Sequence, residues 1–303
     1  MLRATIAKDA ELSPIAPLLA SIEWSPFAVA PELARKLHDQ TEACRVEILA
    51  DRGWVLQARP KDRCISLSVG VVEVLWAQAF AVWTWYDHLA NTTPAGATQI
   101  SLNGPDQQAA IDLYEWALRR LVPGRLPEDW PSSQPTPEAT PRFGSPVHFA
   151  NEWTLVTIGY LLLHEIAHLV LKHDPNAKEE WLLDQEKDAD VWAADWVLVG
   201  GPPPRDTIVK RSTGAMMGCL ALVSRDLRRG YFTNSTHPPS YDRLHNLLRD
   251  RVPEDIDQAW GVVVAVLSVH YHAVKRTVPT GTFDTWAEAA DAFFDDMSRI
   301  SIA

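Results

Sequence analysis

The chain contains little cysteine, with Cys44, Cys64 and Cys219 as its only three thiols among 303 residues. An odd and widely separated set provides neither a disulfide framework nor a Cys-X-X-Cys zinc site, and it fits a protein in a reducing cytoplasm. The first residues also lack the apolar core of a secretory signal. We therefore expect a cytoplasmic protein.

Long apolar runs and excess positive charge are also missing. The longest late apolar run, at 261–269, is too short to cross a bilayer, and ionisable residues interrupt the apolar stretch at 161–171. The formal net charge is -11, which argues against a protein that binds nucleic acid. We expect neither a membrane nor a nucleic acid as a partner.

The most informative feature that is present is the motif HEIAH at 164–168, inside the apolar run 161–171. Residues four apart share one face of a helix, so the two imidazoles project to the same side, one turn apart. This spacing suits two nitrogens on one zinc ion, with Glu165 beside them to act as a base on water. A buried helix that carries these polar groups needs a reason, and a metal site explains them better than core histidines bonded to backbone.

A third metal ligand is expected downstream, because a catalytic zinc usually has three protein ligands and one open position. The best candidates lie in EKDAD at 186–190, within a segment of helical character over 179–199. Glu186 and Asp190 are four apart, so one can bind the metal while the other accepts the ring proton of a ligating histidine. We assign Glu186 to the metal and Asp190 to the supporting role. The reverse assignment and a solvated acidic face remain open.

A further motif, STHPPSYDRL at 235–244, contains two prolines that end one element and begin a helix. His237 stands at this rigid junction, from which it can donate a hydrogen bond to an oxyanion, as can Tyr241. A structural role for His237 is the alternative. Arg243 is expected to pair with a carboxylate of the site or with substrate, or to form a surface salt bridge.

These three motifs occur in the order seen in gluzincin metallopeptidases, and they resemble the M48-type set of HExxH, ExxAD and His-Pro-Pro before an Arg. The resemblance covers about a third of the chain, roughly 154–248. It implies zinc as the cofactor and a set of site residues. These are His164, His168 and Glu186 as zinc ligands, Glu165 as general base, Asp190 as orienting acid and His237 as a residue flanking the site.

Members of the M48 family are commonly embedded in membranes, and this chain lacks a comparable apolar segment. Its size and motif order look more like the soluble Lit-type phage-exclusion peptidases, the U49 group. That resemblance implies a host protein as substrate, cleaved during phage infection.

The sequence pattern predicts an α+β fold that is zincin-like, with a mostly helical C-terminal half and a small N-terminal β-sheet beside the HExxH helix. Strands are expected at 44–50, 54–59 and 64–69, the first two joined as a hairpin by Asp51-Arg-Gly53. Helices are expected at 71–89, 105–121, 148–172, 178–199, 206–228, 240–250, 254–275 and 283–299.

The domain organisation follows from a proline-rich segment at 123–146. We interpret it as a connection between an N-terminal α+β part, 1–122, and a helical metallopeptidase part, 147–303, which together form one catalytic unit. A flexible linker or a loop over the mouth of the active site are the alternatives.

Together these features predict a soluble zinc-dependent endopeptidase that hydrolyses a protein or peptide substrate, with Glu165 as the general base. The acidic net charge favours a substrate with a basic segment near the scissile bond. An activating or inhibiting partner is left open. The alternatives are an inactive or regulatory zinc-binding protein and a zinc hydrolase with a non-peptide substrate.

Overall fold

A computed structural model describes residues 2–92, 104–122, 128–198, 204–230 and 237–300. The strands are β1 (Arg3–Ile6), β2 (Arg45–Leu49), β3 (Leu56–Arg59) and β4 (Cys64–Ser68). The α-helices are α1 (Ala16–Ile22), α2 (Ser25–Val29), α3 (Ala34–Thr41), α4 (Val69–Thr92), α5 (Pro105–Arg120), α6 (Pro146–Val170), α7 (Glu179–Leu198), α8 (Arg205–Arg229), α9 (Ser240–Arg251), α10 (Asp257–Ala273) and α11 (Trp286–Ile300). The prediction of a mostly helical α+β protein with a small N-terminal sheet is confirmed.

The four strands form one sheet in the order β1-β2-β4-β3. β1 and β2 are parallel, β2 and β4 are parallel, and β3 runs antiparallel to β4. β3 is therefore an edge strand, and its backbone contacts the HEIAH helix through a hydrogen bond from the Ala58 N–H to Glu165. This places the sheet beside α6, as predicted.

The predicted hairpin between the strands flanking Asp51–Gly53 is wrong. β4 lies between β2 and β3, and the tight connection joins β3 to β4 through a short 3-10 helix, Pro60–Asp62, and a left-handed Arg63. The physical reason is burial. All five residues of β4 are buried, which favours a central position, whereas β3 carries polar residues that tolerate an edge. We made no prediction from the sequence for β1 or for the helices α1 to α3.

The helix α6 is the centre of the fold and packs against α2, α4, α7 and α8. Ser145 caps its N-terminus by accepting a hydrogen bond from the His148 N–H, and Pro146 occupies its first turn. It is apolar on all sides, as expected of a helix buried in a protein interior. Its N-terminal turns set the position of HEIAH at its C-terminal end.

The composition of α6 corrects the expectation that no segment of the chain is long and apolar enough to cross a membrane. Among the described residues it is the one helix long and apolar enough to cross a membrane, because its only carboxylates are Glu152 and Glu165. In the fold, however, 83% of its most apolar window is buried inside the protein. Core helices of this kind pass the same test of length and composition.

Close contact between α6 and α8 brings the C-terminal turns of α8 towards the HEIAH helix. Gly214 permits this approach, because a Cβ atom there would overlap with Val156 of α6. The Thr157 hydroxyl also donates a hydrogen bond of 2.8 Å to the Gly214 carbonyl.

The described part of the proline-rich segment, 128–145, is attached to the core. The Trp116 indole donates a hydrogen bond of 2.9 Å to the Asp129 carbonyl, and Trp130 packs against the rings of Trp76 and Trp116. None of the residues described in this segment lines the cleft that contains HEIAH. These contacts attach the segment to α4 and α5. Its role as a connection between two parts of one catalytic unit stays a prediction.

A buried histidine makes the stability of the fold depend on pH. His270 of α10 is 1% exposed, and neither ring nitrogen has a hydrogen-bond partner within the described ranges. Burial, helped by the charge of Arg228, lowers its pKa to about 4. The folded state thus disfavours the protonated ring relative to the unfolded chain.

We expect this histidine to destabilise the protein in mild acid. Its contribution to stability is complete above the unfolded-state pKa of about 6.5 and is lost as the pH falls towards about 4, on the order of 3 kcal/mol. His270→Leu should remove that part of the pH dependence, measured as the free energy of unfolding in urea at pH 7, 5.5 and 4. The half-exposed His38 provides the control variant His38→Leu. An unchanged pH dependence in His270→Leu would contradict the assignment.

Candidate metal centre

Four helices, α6, α7, α8 and α9, and the edge strand β3 meet around one cleft of about 830 Å³. α6 provides HEIAH, α7 provides Glu186, and α9 provides Arg243. Ala189 and Ala193 of α7 are fully buried, and their small size lets α7 approach α6 closely. Residues that the sequence separates by more than 70 positions are thereby brought into contact.

His164, His168 and Glu186 form a group that can hold a metal ion. The two Nε2 atoms are 3.2 Å apart. Glu186 places one carboxylate oxygen 3.4 Å from the Nε2 of His164 and the other 3.4 Å from that of His168. Donors about 2.1 Å from a tetrahedral zinc are separated by about 3.4 Å, so the donor set fits such an ion with little rearrangement.

Asp190 and Arg243 support His164 from the side of its Nδ1 atom. Asp190 places a carboxylate oxygen 2.9 Å from the Nδ1 of His164. Arg243 donates two hydrogen bonds of 2.7 Å to the Asp190 carboxylate, and its side chain is only 9% exposed. Arg243 is therefore a buried partner of the site, and its reading as a surface salt bridge is wrong.

The charges around the histidine pair favour a cation. Burial opposes a charge on His164, but Asp190 and Glu186 outweigh it and raise its pKa to about 10. Burial also opposes the charge of Glu186, yet His164 and Arg243 lower its pKa to about 2. The carboxylates thus stabilise a positive charge between them, which either a proton or a metal ion can supply.

The second histidine has a partner that was not predicted from the sequence. The Nδ1 of His173 lies 2.9 Å from the Nδ1 of His168, and a left-handed Lys172 ends the helix so that the chain turns back. Burial and the charge on His164 lower the pKa of His168 to about 3, and burial lowers the pKa of His173. Both rings are then neutral near pH 7, so one Nδ1 donates to the other.

Glu165 faces the cleft beside the three donors. It is 9% exposed, and its Oε2 accepts a hydrogen bond of 2.5 Å from the Ala58 N–H of β3. Burial raises the pKa of its carboxyl group, although the charge of His164 works against the shift. The contact with Ala58 also was not predicted, because the strand order that creates it was not predicted.

Of the two residues proposed to stabilise an oxyanion, His237 lines the cleft and Tyr241 is not among its described lining residues. The His237 side chain is 48% exposed, with its Nε2 3.5 Å from Glu186. Burial lowers its pKa. Six of the seven predicted site residues thus line one cleft, and the seventh, Asp190, contacts two of them, His164 and Arg243, while their individual roles stay predictions.

Comparisons with known proteins agree on one family. The family model for peptidase U49 matches residues 65–263, a range that includes every member of the cluster described above. A protein of Escherichia coli (strain K12) described as "Cell death peptidase" is 27% identical over 241 residues, which cover 77% of this chain and 80% of that protein. No solved structure matches the chain.

We expect His173 to orient His168 for metal binding, as partners of ligating histidines commonly do. His173→Leu should lower zinc affinity by about tenfold or more, because the Nδ1–H of His168 loses its acceptor. His173→Asn should retain most of the affinity, since its amide oxygen can take the place of Nδ1. Competition with a chelator measures the dissociation constants. Wild-type affinity in His173→Leu would show that His173 has no such role.

Proposed function

The chain belongs to the peptidase U49 family, and from that membership we propose that it is a zinc-dependent endopeptidase with Glu165 as general base. The observation that carries the proposal is the close approach of three donors, 3.2–3.4 Å apart, beside a buried carboxylate. Two imidazoles and one carboxylate form a common ligand set of hydrolytic zinc and leave a coordination position open. A purely structural zinc usually has four protein ligands.

Zinc, when bound by His164, His168 and Glu186, would act as a Lewis acid towards water and the substrate carbonyl. Glu165 would take the proton of the attacking water and pass it to the leaving amine. Its contact with the Ala58 N–H orients the carboxylate towards the cleft. His237 would donate a hydrogen bond to the carbonyl oxygen as negative charge develops there.

The open edge of β3 provides a place for an extended substrate. Leu56 and Ala58 line the cleft, and the Ala58 N–H points away from β4 towards Glu165. Backbone groups two residues apart face the same edge of a strand. We propose that a substrate segment pairs with this edge by strand addition, so a protein substrate must present an extended segment.

The biological setting follows from resemblance. One relative is described as "Cell death peptidase", and the motif order resembles that of Lit-type phage-exclusion peptidases. From this resemblance we propose a role in phage exclusion, with a host protein as the substrate. This role stays a prediction, as do a cytoplasmic location and an activating or inhibiting partner. Phage plating on bacteria that express the wild type or Glu165→Gln would test it, and equal plating would contradict it.

The metal assignment predicts one zinc per chain in the purified wild type. His164→Ala and Glu186→Ala should each lose it, because two remaining ligands hold zinc poorly. Elemental analysis at matched protein concentrations measures the content and identifies the metal. Zinc retained by Glu186→Ala would move the third ligand to Asp190 or Asp188, and a wild type without metal after reconstitution would contradict the site.

The assignment of the base predicts that Glu165→Gln retains zinc and the fold but cleaves about 100-fold to 10,000-fold more slowly. The amide fills the same space but cannot accept the proton of the attacking water. Cleavage of a synthetic peptide mixture, followed by mass spectrometry, measures the rate, with zinc content and thermal unfolding as controls. Turnover at the wild-type rate in this variant would exclude Glu165 as the base.

A further inference from the structure

One wall of the cleft is a face of α8 to which no sequence motif pointed. Leu222, Arg225, Asp226 and Arg229 line the cleft, and their spacing of three and four residues places them on one side of the helix. None of them belongs to the cluster of metal donors. The cleft is therefore larger than the hydrolytic chemistry requires, and part of it is cationic.

The two arginines share one carboxylate. An Oδ1 of Asp226 lies 3.2 Å from the Nε of Arg225 and 4.0 Å from an Nη of Arg229. The two arginine side chains are about a quarter exposed, at 23% and 26%, whereas that of Asp226 is 10% exposed. One carboxylate thus lies beside two cations and can neutralise only one of them. Each guanidinium has five N–H donors, more than Asp226 can accept.

Two buried polar atoms in the same region have no hydrogen-bond partner within the described ranges, the Nε of Arg229 and the hydroxyl of Ser240. Ser240 is 3% exposed, lines the cleft and begins the 12-residue helix α9, which packs against α8. The first N–H groups of a helix lack intrahelical partners and carry partial positive charge. Unsatisfied donors of this kind suit an anionic ligand.

The charged residues that line the cleft favour the binding of an anionic ligand. Among its described lining residues there are three arginines, Arg225, Arg229 and Arg243, and three carboxylates, while Asp190 pairs with Arg243 from outside the lining. Even with Asp190 counted, a bound divalent metal would leave these groups with net positive charge. The overall charge of -11 acts through solvent that screens it beyond about 8 Å, so the local cations dominate for a bound peptide.

We propose that Arg225, Arg229 and Ser240 form a carboxylate-binding subsite, so that the enzyme selects substrates with an acidic group close to the scissile bond. The proposal rests on the proposed function, because it takes the cleft to bind peptide. Arg225, Arg229 and Ser240 line the same cleft as His237, which is itself 3.5 Å from Glu186, and this places the subsite near the reacting bond. The preference is opposite to the basic segment expected from the net charge.

Peptide binding tests the subsite independently of turnover. The zinc-loaded Glu165→Gln protein is immobilised and offered acetylated decapeptides that carry either Glu or Gln at each position. Half of the peptides end in an amide and half in a free carboxylate, so side-chain and C-terminal carboxylates are distinguished. We expect Glu peptides to be retained about tenfold more than their Gln counterparts, at one position in the sequence.

The same selection is repeated with Arg225→Gln, Arg229→Gln or Arg228→Gln added. Arg228 is exposed on the same helix, so its substitution changes the net charge equally and should leave the preference intact. The other two should abolish it. Zinc content and thermal unfolding check each variant. If a glutamine variant fails to fold, Ser240→Ala replaces it, with an expected loss of about threefold in the preference.

Equal retention of Glu and Gln peptides would overturn the proposal, as would no retention of any peptide or a preference that survives the arginine substitutions. Enrichment confined to free C-termini would assign the subsite to the end of the substrate chain. Cleavage of the same peptides by the wild type distinguishes a failure of the subsite from a failure of the proposed function. Cleavage without an acidic preference overturns the subsite alone, whereas an acidic preference without cleavage counts against the zinc and Glu165 mechanism.

Discussion

The candidate site depends on the buried ion pair between Arg243 and Asp190. Two hydrogen bonds of 2.7 Å join them, and Asp190 in turn contacts the Nδ1 of His164. This chain of contacts ties α9, α7 and α6 together and sets which nitrogen of His164 points to the metal position. Removal of one partner would leave the other charge buried without compensation, a large cost for any fold. The charge pair therefore both supports the packing of the helices and orients His164 as a metal ligand.

The order of strands in the sheet has a direct consequence for the chemistry. Because β4 occupies the centre, β3 is left at the edge, where the Ala58 N–H meets Glu165. The sheet thus provides the N–H that contacts the proposed base, and its strands also add Val46, Ile48, Ile65 and Leu67 to the apolar core. The two halves of the chain also share one apolar core cluster.

The electrostatics of the chain differ between its surface and its cleft. The whole sequence is acidic, whereas the described lining of the cleft balances arginine against carboxylate before any metal is counted. Net charge describes long-range attraction, which salt screens, and the contacts of a bound peptide are decided within a few ångströms. Membership of a peptidase family favours a peptide over the other substrates that a zinc site could serve.

The sequence by itself determined the helices of the C-terminal half and the motif positions, because local periodicity and residue spacing suffice for these. The resemblance of its motifs to those of known peptidases indicated the family. His164, His168, Glu186, Asp190 and Arg243 were predicted as one site in this way. Tertiary structure decided the strand order, since pairing depends on which strand is most buried. It also decided which residues join the site from elsewhere, namely Ala58, His173 and the arginines of α8. The contacts of Ala58 and the α8 arginines arise where separate elements meet in space, and no local pattern in the sequence records such meetings. His173 is close to His168 in the sequence, but their contact depends on the chain turning back at the left-handed Lys172.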